Sequence, residues 1–462
     1  MISLMRLSLL LLSSTLLAQG PYLTEGLRIG EVTDRSAIVR FRLSPLQSPN
    51  PGQYESPKTS GGPALMLPDD VDPWKLPGAV PGIVGRARLW VGTRQDLKDA
   101  KPGEWLQAEA DKDYTLFVPL TGLRAARTYY LAVEINAKPE KAQASFTTAP
   151  ESRQRAPVTF AAVTGLMYRD LDHPDGFQIF EAMRKTPPNF LVLTGDNVYY
   201  DNEPPRAVNA EIARYHWQRM FGRPRAVALF SVVPQYWMKD DHDVLSDDCW
   251  PGMDPDFMKP MTFAEGQKIF LEQVPMSEKT YRTFRWGKGL QIWLLEGRDF
   301  RSPNPDPDGP SKTILGAEQK AWLKRTVEES DADWKVIVSP TPWVGPDRSN
   351  KNDNYANEGF ATEGKEMRAW AGQKKNLIVV CGDRHWQYHS VDPASGLHEF
   401  STGPASDEHA GGSPGEDQTY HKFHRVKGGY ASVSVQPAAA GSKLTVKFHD
   451  VNGAPVYEYS PQ

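Results

Sequence analysis

The chain has 462 residues, of which 39% are hydrophobic and 24% charged, and this length favours two large domains. Its formal net charge of −4 gives no electrostatic basis for binding nucleic acid or an anionic membrane surface. The two cysteines, Cys249 and Cys381, are too few for a disulfide scaffold or a cysteine-rich zinc site. We expect both to be free thiols, because they lie far apart in the sequence.

The first 18 residues have the pattern of a secretory signal peptide. Arg6 provides a positive charge, residues 7–18 form an apolar run, and Ala18 is a small residue at its end. The run is too short for a transmembrane helix, and no later stretch reaches that length. We therefore expect an exported protein, periplasmic or secreted, without a membrane span. An uncleaved N-terminal anchor is the alternative.

Residues 20–148 alternate between apolar and polar side chains, which is typical of half-buried strands. Such runs occur at residues 37–43, 87–91, 114–118, 129–133 and 145–148. The stretch around Tyr129 resembles the tyrosine corner of fibronectin type III and immunoglobulin-like sandwiches. Residues 45–85 are rich in proline and glycine and are predicted to form a long loop. The pattern predicts an all-β fibronectin/immunoglobulin-like domain at 20–148, followed by a linker at 149–157.

Residues 158–450 follow a different pattern, in which continuous apolar strands alternate with helices. We predict strands at 158–163, 190–194, 235–238, 291–295, 335–339 and 377–381, and helices at 177–184, 210–221 and 317–329. Apolar strands of this kind are buried on both faces, as in an α/β domain. Two alternating segments, 430–435 and 444–448, are predicted to pack as a hairpin on the same domain.

Charged motifs follow four of the predicted strands. They are Gly195-Asp196-Asn197-Val198-Tyr199, Asp240-Asp241-His242-Asp243, Glu296-Gly297-Arg298 and Gly382-Asp383-Arg384-His385. Ligands of layered α/β folds bind beyond the carboxyl ends of strands, so these motifs can converge on one crevice. Carboxylates packed that closely repel one another unless cations neutralise them. Oxygen donors with one imidazole favour iron, manganese, calcium or magnesium over a structural zinc ion.

These motifs, in this order, resemble the alkaline phosphatase D family of calcineurin-like metallophosphoesterases, which is related to the purple acid phosphatases. The resemblance covers about residues 158–448. It implies a four-layer α/β/β/α metallophosphoesterase sandwich, preceded here by the all-β domain. It also implies an exported phosphoesterase of the alkaline phosphatase or phosphodiesterase type, which hydrolyses small phosphate esters by metal-bound hydroxide.

The resemblance assigns metal ligands residue by residue. Asp196 would bridge two metals, Tyr199 would bind ferric iron as a phenolate, and Asp241 would bind the second metal. Asp383 and His385 would each supply one ligand. The implied cofactor is a dinuclear or multinuclear metal site, with Fe³⁺ and Ca²⁺ as the expected ions.

Two further residues receive roles from the same resemblance. His242 would contact the phosphate and could protonate the leaving alkoxide. Arg298 would bind a phosphate oxygen through a bidentate contact. The remaining histidines, including His409, show no spacing that indicates ligands, and the glycine-rich stretch after His409 is predicted to be a rim loop.

The sequence departs from the family at Val163, where a metal-binding cysteine is usual, and at Glu296, where aspartate is usual. Either a ligand is lost, or Thr164 or the acidic loop 168–175 replaces it. A ligand loss would favour the alternative function, a non-catalytic binding protein built on a degenerate phosphatase-like domain. The argument against that alternative is that six motif residues are all present, namely Asp196, Tyr199, Asp241, His242, Asp383 and His385.

Overall fold

The computed structural model describes residues 20–52 and 63–461. The predicted signal peptide at 1–18 and part of the predicted loop at 45–85 lie outside these residues. Among the helices that are described, none is both long enough and apolar enough to cross a membrane.

The described residues up to 150 contain eight strands. They are β1 (Arg28–Gly30), β2 (Ala37–Arg42), β3 (Gly85–Gly92), β4 (Lys101–Pro102), β5 (Leu106–Ala108), β6 (Thr115–Leu120), β7 (Thr128–Glu134) and β8 (Ala144–Thr147). The five longer predicted strands are all present, and the additional ones have two or three residues each, too short for a visible alternation.

The rest of the chain alternates strands and helices as predicted. Within residues 151–461 the structure has six α-helices: α1 (Gln178–Lys185), α2 (Ala210–Phe221), α3 (Pro224–Phe230), α4 (Phe263–Gln273), α5 (Gly316–Glu329) and α6 (Ala361–Gly372). The strands up to residue 381 are β9 (Val158–Val163), β10 (Phe190–Leu193), β11 (Gln235–Trp237), β12 (Arg282–Trp286), β13 (Leu290–Leu294), β14 (Trp334–Ser339) and β15 (Leu377–Cys381). Those that follow are β16 (Gln387–Val391), β17 (His398–Thr402), β18 (His421–Arg425), β19 (Tyr430–Ala438), β20 (Gly441–His449) and β21 (Pro455–Tyr459).

Two large mixed sheets dominate the structure. The first has nine strands in the order β21-β20-β19-β9-β10-β11-β1-β2-β6, and its centre, β9-β10-β11, is parallel. The second has seven strands in the order β12-β13-β14-β15-β17-β16-β18, with β13, β14, β15 and β17 parallel. The predicted C-terminal hairpin, β19-β20, is confirmed and pairs with β9 in the first sheet.

The N-terminal strands do not form two sheets of their own. Strands β1, β2 and β6 extend the nine-stranded sheet, while β3, β4, β5, β7 and β8 form a separate five-stranded sheet. The junction is the parallel pair Gly30 and Gln235, where Gln235 Oε1 also accepts a hydrogen bond from the Ile29 backbone at 3.2 Å. The predicted tyrosine corner is present, since the Arg124 backbone N–H donates to Tyr129 Oη at 2.9 Å. A separate folding unit at 20–148 stays a prediction.

The buried apolar side chains fall into three main clusters. One cluster joins the inward faces of both large sheets, with Phe160 and Val192 from the first and Ile292 and Val380 from the second. Another lies between the nine-stranded sheet and α1–α4, and a third lies between the seven-stranded sheet and α5 and α6. Burial on both faces explains why these strands have continuous apolar sequences. Cys249 and Cys381 are free and buried, as predicted.

The junction between β1 and β11 gives a direct test of the continuous sheet. A Cβ added at Gly30 would overlap the backbone oxygen of Pro275. We therefore expect Gly30→Ala to lower the free energy of unfolding by about 1–3 kcal/mol, the usual cost of overpacking. Urea unfolding followed by circular dichroism measures this change. The matched control is Gly309→Ala, because nothing lies within 4 Å of the added Cβ there, and an equal effect of the two substitutions would contradict the packing at this junction.

Candidate metal centre

Two Gly-Asp turns at strand ends carry the predicted bridging and terminal carboxylates. Asp196 follows β10 with φ of 54°, and Asp383 follows β15 with φ of 62°. Aspartate tolerates this left-handed conformation better than most residues, and non-glycine residues in it often mark functional turns. Gly195, with φ of 113°, also has no room for a side chain, because an added Cβ would lie 2.6 Å from Asp240 Cβ. The backbone therefore presents both carboxylates beyond the ends of the sheets.

The strand ends of the two large sheets are fastened together. Thr164, which follows β9, donates from Oγ1 to the Gly195 carbonyl at 3.1 Å and accepts from the Asp383 backbone N–H at 3.2 Å. A Cβ at Gly382 would overlap the Thr194 hydroxyl, so glycine permits this close approach. The ends of β9, β10 and β15 consequently meet at one place.

Asp243 holds the turn after β10 against the turn after β11. Its carboxylate accepts backbone hydrogen bonds from Asn197 at 2.8 Å, Val198 at 3.0 Å and Asp240 at 3.0 Å. Burial raises the pKa of Asp243 to about 7, and the backbone donors oppose the rise. With its oxygens used in this way, Asp243 has a structural role.

The centre of the site is a cluster of four predicted residues. Ligand atoms of Asp196, Asp241 and His242 all lie within 4.8 Å of one another. The Tyr199 hydroxyl donates to Asp196 Oδ2 at 3.2 Å, and the rings of Tyr199 and His242 lie 4.5 Å apart between centroids. One oxygen of Asp196 and one of Asp241, Oδ1 in both cases, are buried without a hydrogen-bond partner.

His242 is oriented by Asp201, a residue that the sequence argument did not identify. Nδ1 of His242 lies 2.7 Å from Asp201 Oδ1. Burial disfavours a charged imidazole, but Asp201 and Asp241 outweigh it and hold the pKa of His242 well above its usual range. The other ring nitrogen, Nε2, lies 3.8 Å from Asp247 at the exposed rim. The only sequence signal for Asp201 was its place in the same turn, two residues after Tyr199.

Arg298 lies behind the cluster and not on its open side. Its side chain has no exposed surface, and Nε donates to Asp240 Oδ1 at 2.5 Å. Its Nη2 lies 3.4 Å from Asp353 and 3.7 Å from Asp241. The direct phosphate contact expected from the sequence would therefore require Arg298 to leave its buried carboxylates. Glu296 is also paired within the protein, because it forms a 2.5 Å ion pair with buried Lys239.

The last two predicted ligands, Asp383 and His385, are connected to the cluster through neighbouring residues. Asp383 is connected through Thr164, and one of its oxygens forms a close ion pair with Arg384. His385 is partly buried, and its ring centroid lies 4.0 Å from that of His409. The structure thus brings Asp196, Tyr199, Asp241 and His242 into direct proximity and connects Asp383 and His385 to them.

His409 was not predicted to belong to the site. Its Nε2 lies 2.9 Å from the Tyr199 hydroxyl, and its Nδ1 lies 2.9 Å from Asp170 Oδ2. It belongs to the loop after β17, and β17 is a parallel neighbour of β15 in the seven-stranded sheet. That position beyond a strand end was an available signal, but β17 itself was not predicted.

The electrostatics of the cluster favour a bound cation. Burial, together with the neighbouring carboxylates, raises the pKa of Asp196 well above its usual range, although His242 opposes this. For Asp241, burial also opposes ionisation, but Arg298 and His242 keep its pKa below the usual range. No lysine or arginine in residues 20–52 and 63–461 forms an ion pair with Asp196, whose free oxygen is suited to a metal ion. The residues present therefore fit a metal site.

The buried pairing of Arg298 predicts a structural penalty for its removal. Arg298→Met would leave Asp240 without its cation and remove one of the cations near Asp353, and breaking a buried pair in this way costs about 3–5 kcal/mol of stability. The matched control is Arg155→Met, since Arg155 is 42% exposed and pairs with Asp333 at the surface. An exposed pair contributes at most about 1 kcal/mol. Urea unfolding of both variants measures the two losses of stability. A small loss in Arg298→Met would contradict the buried ion pairs of Arg298.

Several known proteins are similar to this chain. Alkaline phosphatase D from Bacillus subtilis (strain 168) is 26% identical over 134 residues, which are 26% of this chain and 22% of that protein. A solved structure of PhoD covers 95% of this chain and 89% of its own, with a TM-score of 0.73 and 15% identity. Purple acid phosphatase PPD1 from yellow lupin (Lupinus luteus) seeds covers 94% of this chain and 73% of its own, with a TM-score of 0.61 and 11% identity.

The chain shares the fold of these two solved structures, which is built on mixed α/β sheets. The chain spans about a fifth of the length of the curated relative that it matches. A sequence model of the PhoD-like phosphatase family matches residues 160–434, which is more than half of the chain and includes all the motifs described above. The chain therefore belongs to the PhoD-like phosphatase family.

Proposed function

We propose that this chain is a metal-dependent phosphoesterase that hydrolyses small phosphate esters. The observation that carries the proposal is Asp196, a buried carboxylate with one unpartnered oxygen at the centre of a cluster formed with Tyr199, Asp241 and His242. A carboxylate in that position can share its two oxygens between cations. Family membership supports the same conclusion.

The proposed metal ligands are Asp196, Tyr199, Asp241, Asp383 and His385. Four of these donors are hard oxygens and one is an imidazole nitrogen, a set that suits ferric iron beside calcium. Cations bound there would supply Lewis acidity to the phosphoryl oxygens. The protein itself provides the fixed positions of the donors, because the turns that carry them are fastened by Thr164 and Asp243.

His242 is proposed to act on the leaving group. Asp201 holds the proton-bearing Nδ1, so Nε2 is the atom that can give a proton to an oxygen leaving the phosphorus. Nε2 faces Asp247, which lines a recess of about 390 Å³. That recess also includes Trp250 and Asn304 and has room for an organic leaving group.

Arg298 is proposed to position Asp241 and not to bind phosphate. It is fully buried and shared among Asp240, Asp241 and Asp353, so it fixes the turn after β11 electrostatically. This role replaces the direct contact that the sequence suggested.

We also propose export to the periplasm or the medium, guided by residues 1–18, and a four-layer α/β/β/α arrangement of the phosphatase domain. The three apolar clusters, one between the sheets and one under each set of helices, support the four layers.

The function is tested by elemental analysis of purified protein combined with hydrolysis of aryl phosphate monoesters and diesters. We expect bound metal, hydrolysis that stops after chelation, and recovery when metal is returned. Asp196→Asn should abolish activity, whereas Asp308→Asn, in an exposed loop, should not. Metal-free protein without hydrolysis would favour a non-catalytic binding protein on this fold.

Substitution of His242 should depend on the leaving group. We expect His242→Ala to lower kcat/KM by about 10²–10⁴-fold for alkyl phosphates, because a general acid contributes that much when the leaving oxygen is basic. The loss should be much smaller for nitrophenyl phosphate, whose leaving group needs no proton. Steady-state kinetics over a series of leaving groups measures the difference.

The matched control for that series is His424→Ala. His424 lies on β18, outside the cluster, and bonds Ser413 in the loop that precedes this strand, so its removal should leave the series unchanged. An equal loss for every leaving group in His242→Ala would mean that His242 only binds the phosphate.

Substitution of Tyr199 tests whether one of the proposed metals is ferric iron. A phenol ionises readily only beside a strongly charged cation, and a ferric–phenolate pair absorbs visible light. We expect purple to pink protein, and we expect Tyr199→Phe to bleach it without unfolding it. Visible absorption and circular dichroism measure the two effects. Colourless, iron-free protein that is fully active with calcium, magnesium or manganese would contradict the iron assignment alone.

A further inference from the structure

Outside the predicted ligand set, the loop after β17 brings one more imidazole to the cluster. The His409 side chain is 8% exposed and packs on the turn that follows β9. An added Cβ at Gly165 would lie 3.2 Å from His409 Cδ2, so glycine at that position leaves room for the imidazole. The neighbouring bridge between Thr164 and Pro404 holds the loop against β9. The imidazole is therefore held against the turn that follows β9.

The distances around His409 are those of neighbouring ligands on one cation. Nε2 lies 2.9 Å from the Tyr199 hydroxyl, which lies 3.2 Å from Asp196 Oδ2. Two ligands at right angles, each about 2.1 Å from a metal, lie about 3 Å apart. The ring of His385 is also within 4.0 Å of His409. His409 Nε2, the Tyr199 oxygen and Asp196 Oδ2 thus follow one another at short distances, and the ring of His385 lies beside them.

The Tyr199 oxygen lies between the His409 imidazole and the Asp196 carboxyl group. Asp170 accepts the proton on His409 Nδ1 at 2.9 Å, so Nε2 of the neutral ring presents a lone pair. The Asp196 carboxylate is also an acceptor. Tyr199 has one proton for the two acceptors that its oxygen faces, Nε2 and Oδ2. A cation bound by all three groups would take the place of the protons that link them.

The turn after β9 offers no competing donor. The Val163 side chain packs into the apolar cluster beneath α1 and α2. The Thr164 hydroxyl is used by Gly195 and Asp383. Of the two replacements that the sequence suggested for a missing ligand, the acidic loop 168–175 is the one that reaches the cluster, and it does so through Asp170.

We propose that His409 is a metal ligand of this site, on the side of Tyr199 and His385, and that Asp170 is its positioning residue. A carboxylate that accepts the outer N–H of a ligating histidine is a common arrangement in metal sites, because it fixes the ring and its tautomer. The proposal rests on the metal centre of the proposed function and adds a ligand to it.

The test is cobalt binding to the chelator-treated full-length protein. Titration calorimetry gives the affinity, and visible absorption reports the ligand field. We compare wild type with His409→Ala, Asp170→Asn and the control His424→Ala. Loss of an outer partner lowers metal affinity about 10–100-fold, so we expect that range for Asp170→Asn and a larger loss for His409→Ala. Added imidazole should restore the wild-type spectrum of His409→Ala, and His424→Ala should match wild type.

The outcomes separate this proposal from the proposed function. Wild-type affinity and spectrum in His409→Ala would overturn His409 as a ligand and leave it a hydrogen-bond partner of Tyr199, with the phosphoesterase intact. No cobalt binding by wild type would overturn the metal centre as well. If His409→Ala does not fold, Asp170→Asn and His409→Gln decide, and unchanged affinity in both would overturn the proposal.

Discussion

Crowding of buried carboxylates at the strand ends is the constraint on which the rest of this site depends. Each carboxylate costs free energy when it is removed from water, and each repels the others, so every one needs a donor or a cation. The protein supplies Arg298 to Asp240 and Asp353, Arg384 to Asp347, Lys239 to Glu296 and Lys351 to the partly buried Asp248. Asp243 is satisfied by backbone donors. Asp196, at the centre, is left with an oxygen that no described side chain satisfies, which makes it the natural place for a metal ion.

The sheet topology is what creates this crowding. Parallel strands from two different sheets end at the same edge, and glycines directly after them allow the turns to approach closely. Asp196 and Asp383 occupy equivalent positions in these turns, each after a glycine and each with positive φ. Thr164 contacts both turns, and its hydrogen bonds stabilise their strained backbone conformation. Thr164, a small uncharged residue, thus keeps the two turns that carry Asp196 and Asp383 in fixed positions relative to each other.

The sequence predicted this centre because its chemistry is local to short motifs. Asp196 and Asp383 follow apolar strands with continuous buried sequences, and both features are visible without a structure. Burial of Arg298 was not visible, since its partners come from separate segments of the chain. His409 was missed because its loop follows a strand, β17, that has little apolar signal of its own. The joining of β1 to β11 was also hidden, because a three-residue strand carries no periodicity and its pairing is decided by tertiary packing.

The central claim is that the carboxylates around Asp196 hold metal ions. Anomalous diffraction from crystals of the purified protein, recorded on both sides of the iron absorption edge, tests it most directly. The account predicts a peak within ligand distance of both Asp196 and Tyr199, and a second metal on the Asp241 side of Asp196. A map without anomalous density beside Asp196, or with a lysine or arginine side chain filling that position, would contradict it.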